Sequence, residues 1–310
     1  MGFSRLARIP WLNSNKKTET MIGVSLCTET LLIIVLKKKN QQWYVSDSAQ
    51  EPVTDLANAA QQIANLIQSV TSSPSQVYLL LPQSYYQIVQ VDKPALEGEE
   101  LIQSLPWTLK DVVTLSAERI VADYIDYPIQ TANQQAKVNV FVADKQMLQP
   151  LIQTFDTPTM QLKQITAKET AIAQMTAQDN YARMVIFQEP GQEPCVLIIR
   201  EQQLLLNRRL RGFTLLENDP DELTVNNLSD AMGLEIQRSM DFYESQLKLP
   251  PIKEVLFLSH FSSQAVIERM KQLQSVPIKE FKPVMDLADT VAPKFYVALA
   301  GVYFAMLETA

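Results

Sequence analysis

The chain has 310 residues, 46% of them hydrophobic, with a formal net charge of −7 and a pI near 5.0. That length supports a sizeable core in about two domains. The acidic balance excludes a whole-chain nucleic-acid binder, which needs a basic surface. Two cysteines, Cys27 and Cys195, make no disulfide framework and fit a reducing compartment. The single histidine, His260, excludes a multi-histidine metal site and leaves any Ser-His-Asp triad to run through it alone. Met1–Arg5 lacks the apolar region of a signal peptide. The most apolar stretches, Met21–Leu36 and Phe295–Leu307, are shorter than the ~20 residues a membrane span requires.

Residues 1–20 read as a tail in which Arg5, Arg8, Lys16 and Lys17 alternate with Phe3, Leu6, Ile9, Trp11 and Leu12. The pattern fits either a weak interfacial anchor or a solvated terminus. Ile22–Leu26, Leu31–Leu36 and Trp43–Val45 then read as a three-strand antiparallel meander. Pro52 to Val70 reads as a helix, with Leu56, Ala60, Ile63, Leu66, Ile67 and Val70 at three- and four-residue steps. Val77–Leu81 is a buried strand closed by Pro82, and Tyr86–Val91 another strand. Glu97–Leu105 is a helix that Pro106-Trp107 interrupts. Val121–Tyr127 and Lys137–Ala143 form a strand pair, followed by a helix over Asp144–Phe155, a strand over Leu162–Ile165 and a helix over Ala167–Met175.

After Asp179 the plan restarts. Met184–Phe187, Cys195–Arg200 and Leu204–Leu210 predict three more short strands. A long helix follows, with Met232, Ile236, Met240, Tyr243 and Leu247 on one face, stopped by Pro250-Pro251. Val255–Leu258 is a buried strand, Ser262–Leu273 a helix, and Pro293 opens a final helix apolar nearly all round, hence buried. Meander, helix, buried strand, helix, stated twice, is the plan of a duplicated ribonuclease H-like α/β fold.

Several stretches resemble the PilM family of pilus assembly proteins, which are actin-like and related to the cell-division protein FtsA. The most specific is Leu234-Glu235-Ile236-Gln237-Arg238-Ser239-Met240-Asp241-Phe242-Tyr243, similar to that family's EI-x-RS-x-D-FY helix and followed by the strand Val255–Ser259. Ile22-Gly23-Val24 resembles its first strand, Leu79-Leu80-Leu81-Pro82 its ALP strand end, Thr166–Ala173 its first domain's closing helix and Ala298-Leu299-Ala300-Gly301 its C-terminal ALG helix. The resemblance runs from Met21 to the end. It implies an actin-like fold with a tail at 1–20, a first domain at 21–180 with an FtsA/PilM-type inserted subdomain at about 96–160, and a second domain at 181–310. Only Gly212–Ala231 remains there for the extra subdomain of ATP-binding relatives.

The resemblance also marks what is missing. Nucleotide-binding members of the fold hold phosphate on two hairpins and a glycine turn, where backbone N–H groups must approach closely. The first hairpin, D-x-G-S-S-x-x-K in the family, carries Ser25 at the aspartate position, Cys27 at the glycine and Leu32 at the lysine, with the Glu29 carboxylate where phosphate would sit. The second reads Gln188-Glu189-Pro190-Gly191, in which Pro190 lacks a donor. The adenosine turn reads Ser259-His260-Phe261-Ser262. With seven glycines in the chain, no other stretch offers a phosphate cradle, so the expectation is no cofactor, no metal and no catalysis.

The family's activity is to hold a membrane-spanning PilN-like subunit by its cytoplasmic tail, at the inner membrane. Carried onto this chain, the binding cleft is lined by Leu81, Pro82, Tyr85, Tyr86 and Trp107. Further partners implied are a pilus assembly ATPase and a second copy of the chain; nucleic acid is not among them. The alternatives are an ATP-binding or ATP-hydrolysing member and a GspL-like type II secretion subunit. His260 and the acidic groups Glu97/Glu99/Glu100, Asp219/Asp221/Glu222 and Asp123/Asp126 read as turn residues, solvated faces and helix caps. Arg208, Arg209 and Arg211 read equally as a patch for an acidic partner and as an exposed strand end. Cys27 and Cys195 read as small buried replacements for glycine.

Overall fold

A computed structural model describes residues 20–40, 42–53, 55, 58–130, 135–213, 221–258, 264–285, 287 and 290–308. The tail expected at 1–20 lies outside these, Thr20 apart. The chain divides into two compact units, one taking it up to Ala171 and again from Asp286, the other holding Ile172–Met285.

In the first unit, β1 (Thr20–Leu26), β2 (Thr30–Lys39) and β3 (Gln42–Pro52) form the expected antiparallel meander. β3 runs seven residues beyond Val45, because the ladder of the long β2 continues to pair Thr30 with Pro52. The first helix, α1 (Ala59–Val70), starts correspondingly later than Pro52. β4 (Ser75–Leu80) and β8 (Met160–Thr166) join in parallel to give the sheet order β3-β2-β1-β4-β8. Between those two strands lie β5 (Tyr86–Asp92), α2 (Gly98–Thr108), β6 (Ile120–Asp126), β7 (Lys137–Asp144) and α3 (Lys145–Thr154).

β5, β7 and β6 make a separate three-stranded antiparallel sheet. The inserted subdomain therefore begins at Tyr86 and not near 96, since β5 pairs with β7 and with no strand of the larger sheet. It ends with β7, because Leu148, Leu151 and Phe155 of α3 and the turn after it belong to the core of the first sheet. Strand alternation splits the small sheet's faces. Tyr86, Phe141 and Ala143 point into the first unit's core, while Val138, Val140 and Val142 meet Leu101, Leu105 and Leu109 beneath α2. α2 runs on through Pro106, where an interruption was expected; the ring forfeits one intrahelical bond near the last turn, and Leu109 N–H still reaches Leu105 O at 2.9 Å.

The second unit repeats the scheme. β9 (Ala182–Phe187), β10 (Cys195–Arg200) and β11 (Gln203–Arg209) form the meander, and β12 (Glu254–Leu258) and β13 (Ile278–Glu280) add in parallel, in the order β11-β10-β9-β12-β13. β13 has no counterpart in the sequence reading, since three residues carry too little period to register. α5 (Glu222–Leu247) buries Met232, Ile236, Met240 and Tyr243 as its spacing predicts, and α6 (Gln264–Leu273) packs beside it. Asp221 caps α5, accepting from Thr224 N–H at 2.8 Å, and Lys248 ends it at φ +52° ahead of the two prolines.

The last helix, α7 (Tyr296–Glu308), belongs to the first unit and not to a second domain running to residue 310. It lies on β1 and β4, and two glycines set the approach: a Cβ at Gly23 would stand 2.0 Å from Ala298 O, and one at Gly301 would stand 2.4 Å from the Leu80 side chain. The first obstacle is backbone and cannot swing away. Gly23→Ala is expected to cost about 3 kcal/mol by prising α7 from the sheet. Gly233→Ala in α5 meets only the end of the Gln274 side chain, at 2.9 Å, and is expected to be neutral or stabilising by up to about 1 kcal/mol through helix propensity. Chemical denaturation of both variants checks the contrast.

Candidate functional site

The turn between β1 and β2 is closed by Cys27 N–H donating to Thr30 O at 2.8 Å. Ser25, Cys27 and Leu32 are buried, whereas Glu29 stands exposed at the turn's tip. Behind the turn lies a residue that the sequence reading did not single out. Lys168, at the start of α4 (Lys168–Gln174), is 0% exposed. Its amine donates to Leu26 O at 2.7 Å and reaches Cys27 Sγ at 3.4 Å, with Ser25 Oγ 3.7 Å from that sulfur. Burial pulls the Lys168 pKa below the ordinary lysine value, opposed by the Cys27 thiol and the Glu169 carboxylate.

Glu169, also buried, faces the other way. It accepts from Tyr86 OH at 2.5 Å and from Gln83 Nε2 at 2.8 Å, and the Tyr86 oxygen in turn accepts from Lys168 N–H at 3.2 Å. Leu81 N–H donates to Thr166 O at 3.3 Å, and Tyr85 N–H to Pro82 O at 2.9 Å. Two consecutive residues thus hold the first hairpin on one side and the start of the inserted subdomain on the other. Tyr85 is half-buried; burial and the Asp55 carboxylate push its phenol pKa up.

Of the five residues expected to line a cleft, the structure brings Leu81, Pro82, Tyr85 and Tyr86 together, with Leu81 and Tyr86 in the core. Trp107 is elsewhere. It is 65% exposed on α2, which covers the face of the small sheet opposite to Tyr86.

The second hairpin is closed by its own groups and by β12. Gln188 N–H donates to Leu258 O at 3.1 Å, Gln192 N–H to Glu189 O at 3.1 Å and Gln188 Nε2 to Gln192 O at 2.9 Å. Gly191 takes the left-handed φ of +71° that the turn after Pro190 needs. Cys195, buried, opens β10 opposite Phe187. Ser259, His260 and Phe261 lie outside the described residues. Arg208 pairs with Glu235 and donates to Ser239 Oγ at 3.2 Å, which ties β11 to α5, while Arg209 and Arg211 are exposed.

Among the described residues no cluster of three histidine, cysteine or acidic side chains could hold a metal. No helix among them is long and apolar enough to cross a membrane. Glu99 and Glu100 sit in the first turn of α2, as helix-start carboxylates should. Asp123 departs from the expected solvated face: it is buried on β6 opposite Phe141, which an isolated acidic residue on a strand does not announce.

No protein-family model and no curated protein sequence matches the chain. Solved structures do. A PilM–PilN type IV pilus biogenesis complex superposes with a TM-score of 0.71 at 15% identity, over 95% of this chain and 99% of that one. A Bacteroides thetaiotaomicron protein of actin-like ATPase fold gives 0.53 at 11% identity over 93% and 98%. The cytoplasmic domain of EpsL, an inner-membrane component of the Vibrio cholerae type II secretion system, gives 0.51 at 12% identity over 91% and 94%. The chain has the actin-like ATPase fold. Within that fold, the buried Lys168 stands behind the first hairpin, and Tyr86 and Glu169 stand where the inserted subdomain leaves the first sheet.

Burial pushes the Asp123 carboxyl up from 3.8 to about 7, with Glu99 adding to the shift and the Tyr124 N–H opposing it. The folded chain then keeps a proton that the unfolded chain releases near the ordinary value. Asp123 thus favours folding most below pH 4, and its contribution falls as pH rises through about 7. Asp123→Asn is expected to flatten the loss of Tm between about pH 4 and pH 7 and to raise Tm at pH 7 and above. An unchanged pH profile would show that Asp123 is ionised throughout.

Proposed function

We propose that this chain is a non-catalytic assembly subunit of a type IV pilus platform. It works at the cytoplasmic face of the inner membrane and holds the cytoplasmic tail of a membrane-spanning PilN-like subunit. The pilus we assign is the mannose-sensitive haemagglutinin type, on the sequence resemblance. The actin-like fold and its likeness to a PilM–PilN complex support the class of partner.

The observation that carries the non-catalytic part is the state of the hairpins. Nucleotide needs their backbone N–H groups, and those of Cys27, Gln188 and Gln192 are already donated within the chain. The Cys27 side chain is turned inward onto Lys168, which leaves the exposed Glu29 carboxylate as the turn's outward charge, repulsive toward phosphate. Calorimetry with magnesium-ATP is expected to show no saturable binding; a micromolar isotherm would promote the ATP-binding alternative.

The tail is placed along Pro82–Tyr86, where a strand end meets a new sheet and an extended peptide gains both main-chain bonds and aromatic pockets. Tyr85 is the half-buried ring there, so Tyr85→Ala is expected to weaken tail binding about thirtyfold, an anchor's worth. Trp107→Ala, on the far face, is expected to leave it unchanged. Fluorescence anisotropy with a labelled tail peptide reads both. The reverse ranking would move the binding surface onto α2.

A further inference from the structure

The first hairpin places together two reactive groups that the assembly role does not use. Cys27 Sγ and Lys168 Nζ, 141 residues apart in sequence, lie 3.4 Å from one another inside the first unit. Both residues are buried, and the Ser25 hydroxyl stands 3.7 Å from the same sulfur. The amine is held in place by Leu26 O at 2.7 Å. Burial pulls the Lys168 pKa down, toward the neutral form whose nitrogen carries a lone pair. A thiol and an amine in contact become a reactive pair once the sulfur is oxidised, because a sulfenic acid condenses with a neighbouring nitrogen.

Access runs through the turn itself. Cys27 is 3% exposed, Thr28 is half-buried and Glu29 is exposed, so the cysteine lies two residues from the solvent-facing tip. The turn closes on the bond from Cys27 N–H to Thr30 O at 2.8 Å. Local opening of such a turn admits a molecule close to water in size, and hydrogen peroxide is one.

We propose that peroxide joins Cys27 to Lys168 by a sulfur–nitrogen bond, a reversible cross-link between the first hairpin and the start of α4. In the first step the Cys27 sulfur attacks one peroxide oxygen and the O–O bond breaks. The departing hydroxide takes the thiol proton and leaves as water, and the sulfur, oxidised by two electrons, carries a hydroxyl. In the second step the Lys168 nitrogen attacks that sulfur and the S–O bond breaks. The hydroxyl leaves as a second water with a proton from the amine, and the Ser25 hydroxyl is within reach to donate to it as it goes. Thiol, amine and one peroxide thus give a sulfenamide and two waters. Contact between the two side chains makes the second step intramolecular, which favours it over attack by a second peroxide. A thiol reductant cleaves the new bond and restores both side chains. The inference stands apart from the pilus assignment, because it needs only this chain and the oxidant.

The test is peptide mass spectrometry of the full chain carrying Cys195→Ala, after treatment with millimolar hydrogen peroxide. That background removes the one other thiol, so no disulfide can form within the chain. Digestion is expected to yield a fragment joining the peptides of Cys27 and Lys168, lighter than their sum by two hydrogen atoms and split again by dithiothreitol. Reading the fragment keeps oxidation of the 11 methionines out of the measurement. The Tm of the treated chain is expected to rise and to fall back with reductant, since the link ties together residues 141 positions apart. Lys168→Arg, which keeps the charge and lacks a nucleophilic amine, is expected to stop at the sulfenic acid and to label with dimedone. Cys27→Ser is expected to give no linked fragment. Oxygen gained at Cys27 with Lys168 unlinked, or a Cys27 that remains a free thiol, would overturn the proposal. So would a linked fragment that joins Cys27 to Cys195 in the parent and is absent from the Cys195→Ala chain, which would assign the reaction to a disulfide.

Discussion

An amine buried in a protein core needs polar partners, and Lys168 finds two on the first hairpin of the fold. Burial taxes the charged form, so the contacts to Leu26 O and Cys27 Sγ are obligatory and not optional. Glu169 faces the same constraint one residue on and meets it with Tyr86 and Gln83. Because the two are adjacent, the hairpin between β1 and β2 and the first residues of the inserted subdomain are fastened to a single peptide at the start of α4. Removing either partner of such a group strands a buried polar atom, which is why the cluster specifies one arrangement of these segments.

That arrangement closes the first hairpin of the actin-like fold with the chain's own groups. In each five-stranded sheet the first hairpin's turn is closed by hydrogen bonds among its own residues, its partner strands and, in the first unit, Lys168. The scaffolding demands of the fold, two antiparallel meanders each extended by parallel strands, are met by packing of apolar strands. What remains open to selection is the surface: the half-buried Tyr85 and the exposed Glu29.

Much of this was legible in the sequence. Short apolar strands in a repeated order gave both meanders, and the 3.6-residue spacing of Met232, Ile236, Met240 and Tyr243 gave the buried face of α5. Polar edge strands did not show, since β3 beyond Val45 reads Ser-Asp-Ser-Ala-Gln-Glu-Pro and draws its order from pairing with β2. The start of the insert was missed because the strand pattern of Tyr86–Val91 does not say which sheet it joins. Trp107 was drawn into the cleft by its chemistry alone. The spacing of Leu101, Leu105 and Leu109 already placed it on the opposite side of α2. Lys168 had a signal too: with Ala171, Ile172 and Met175 it falls at i, i+3, i+4 and i+7, the head of a buried stripe that its charge disguised.

Amide hydrogen exchange on Lys168→Met tests the central claim most directly. If one buried pair fastens two segments, the substitution lowers stability by about 2 kcal/mol. It also strips protection together from the Cys27 amide in the hairpin turn and from the Leu81 and Tyr85 amides that lead into the insert. Protection lost at Cys27 alone, with Leu81 and Tyr85 exchanging as in the parent, would contradict the account, because the hairpin and the insert would then be held independently.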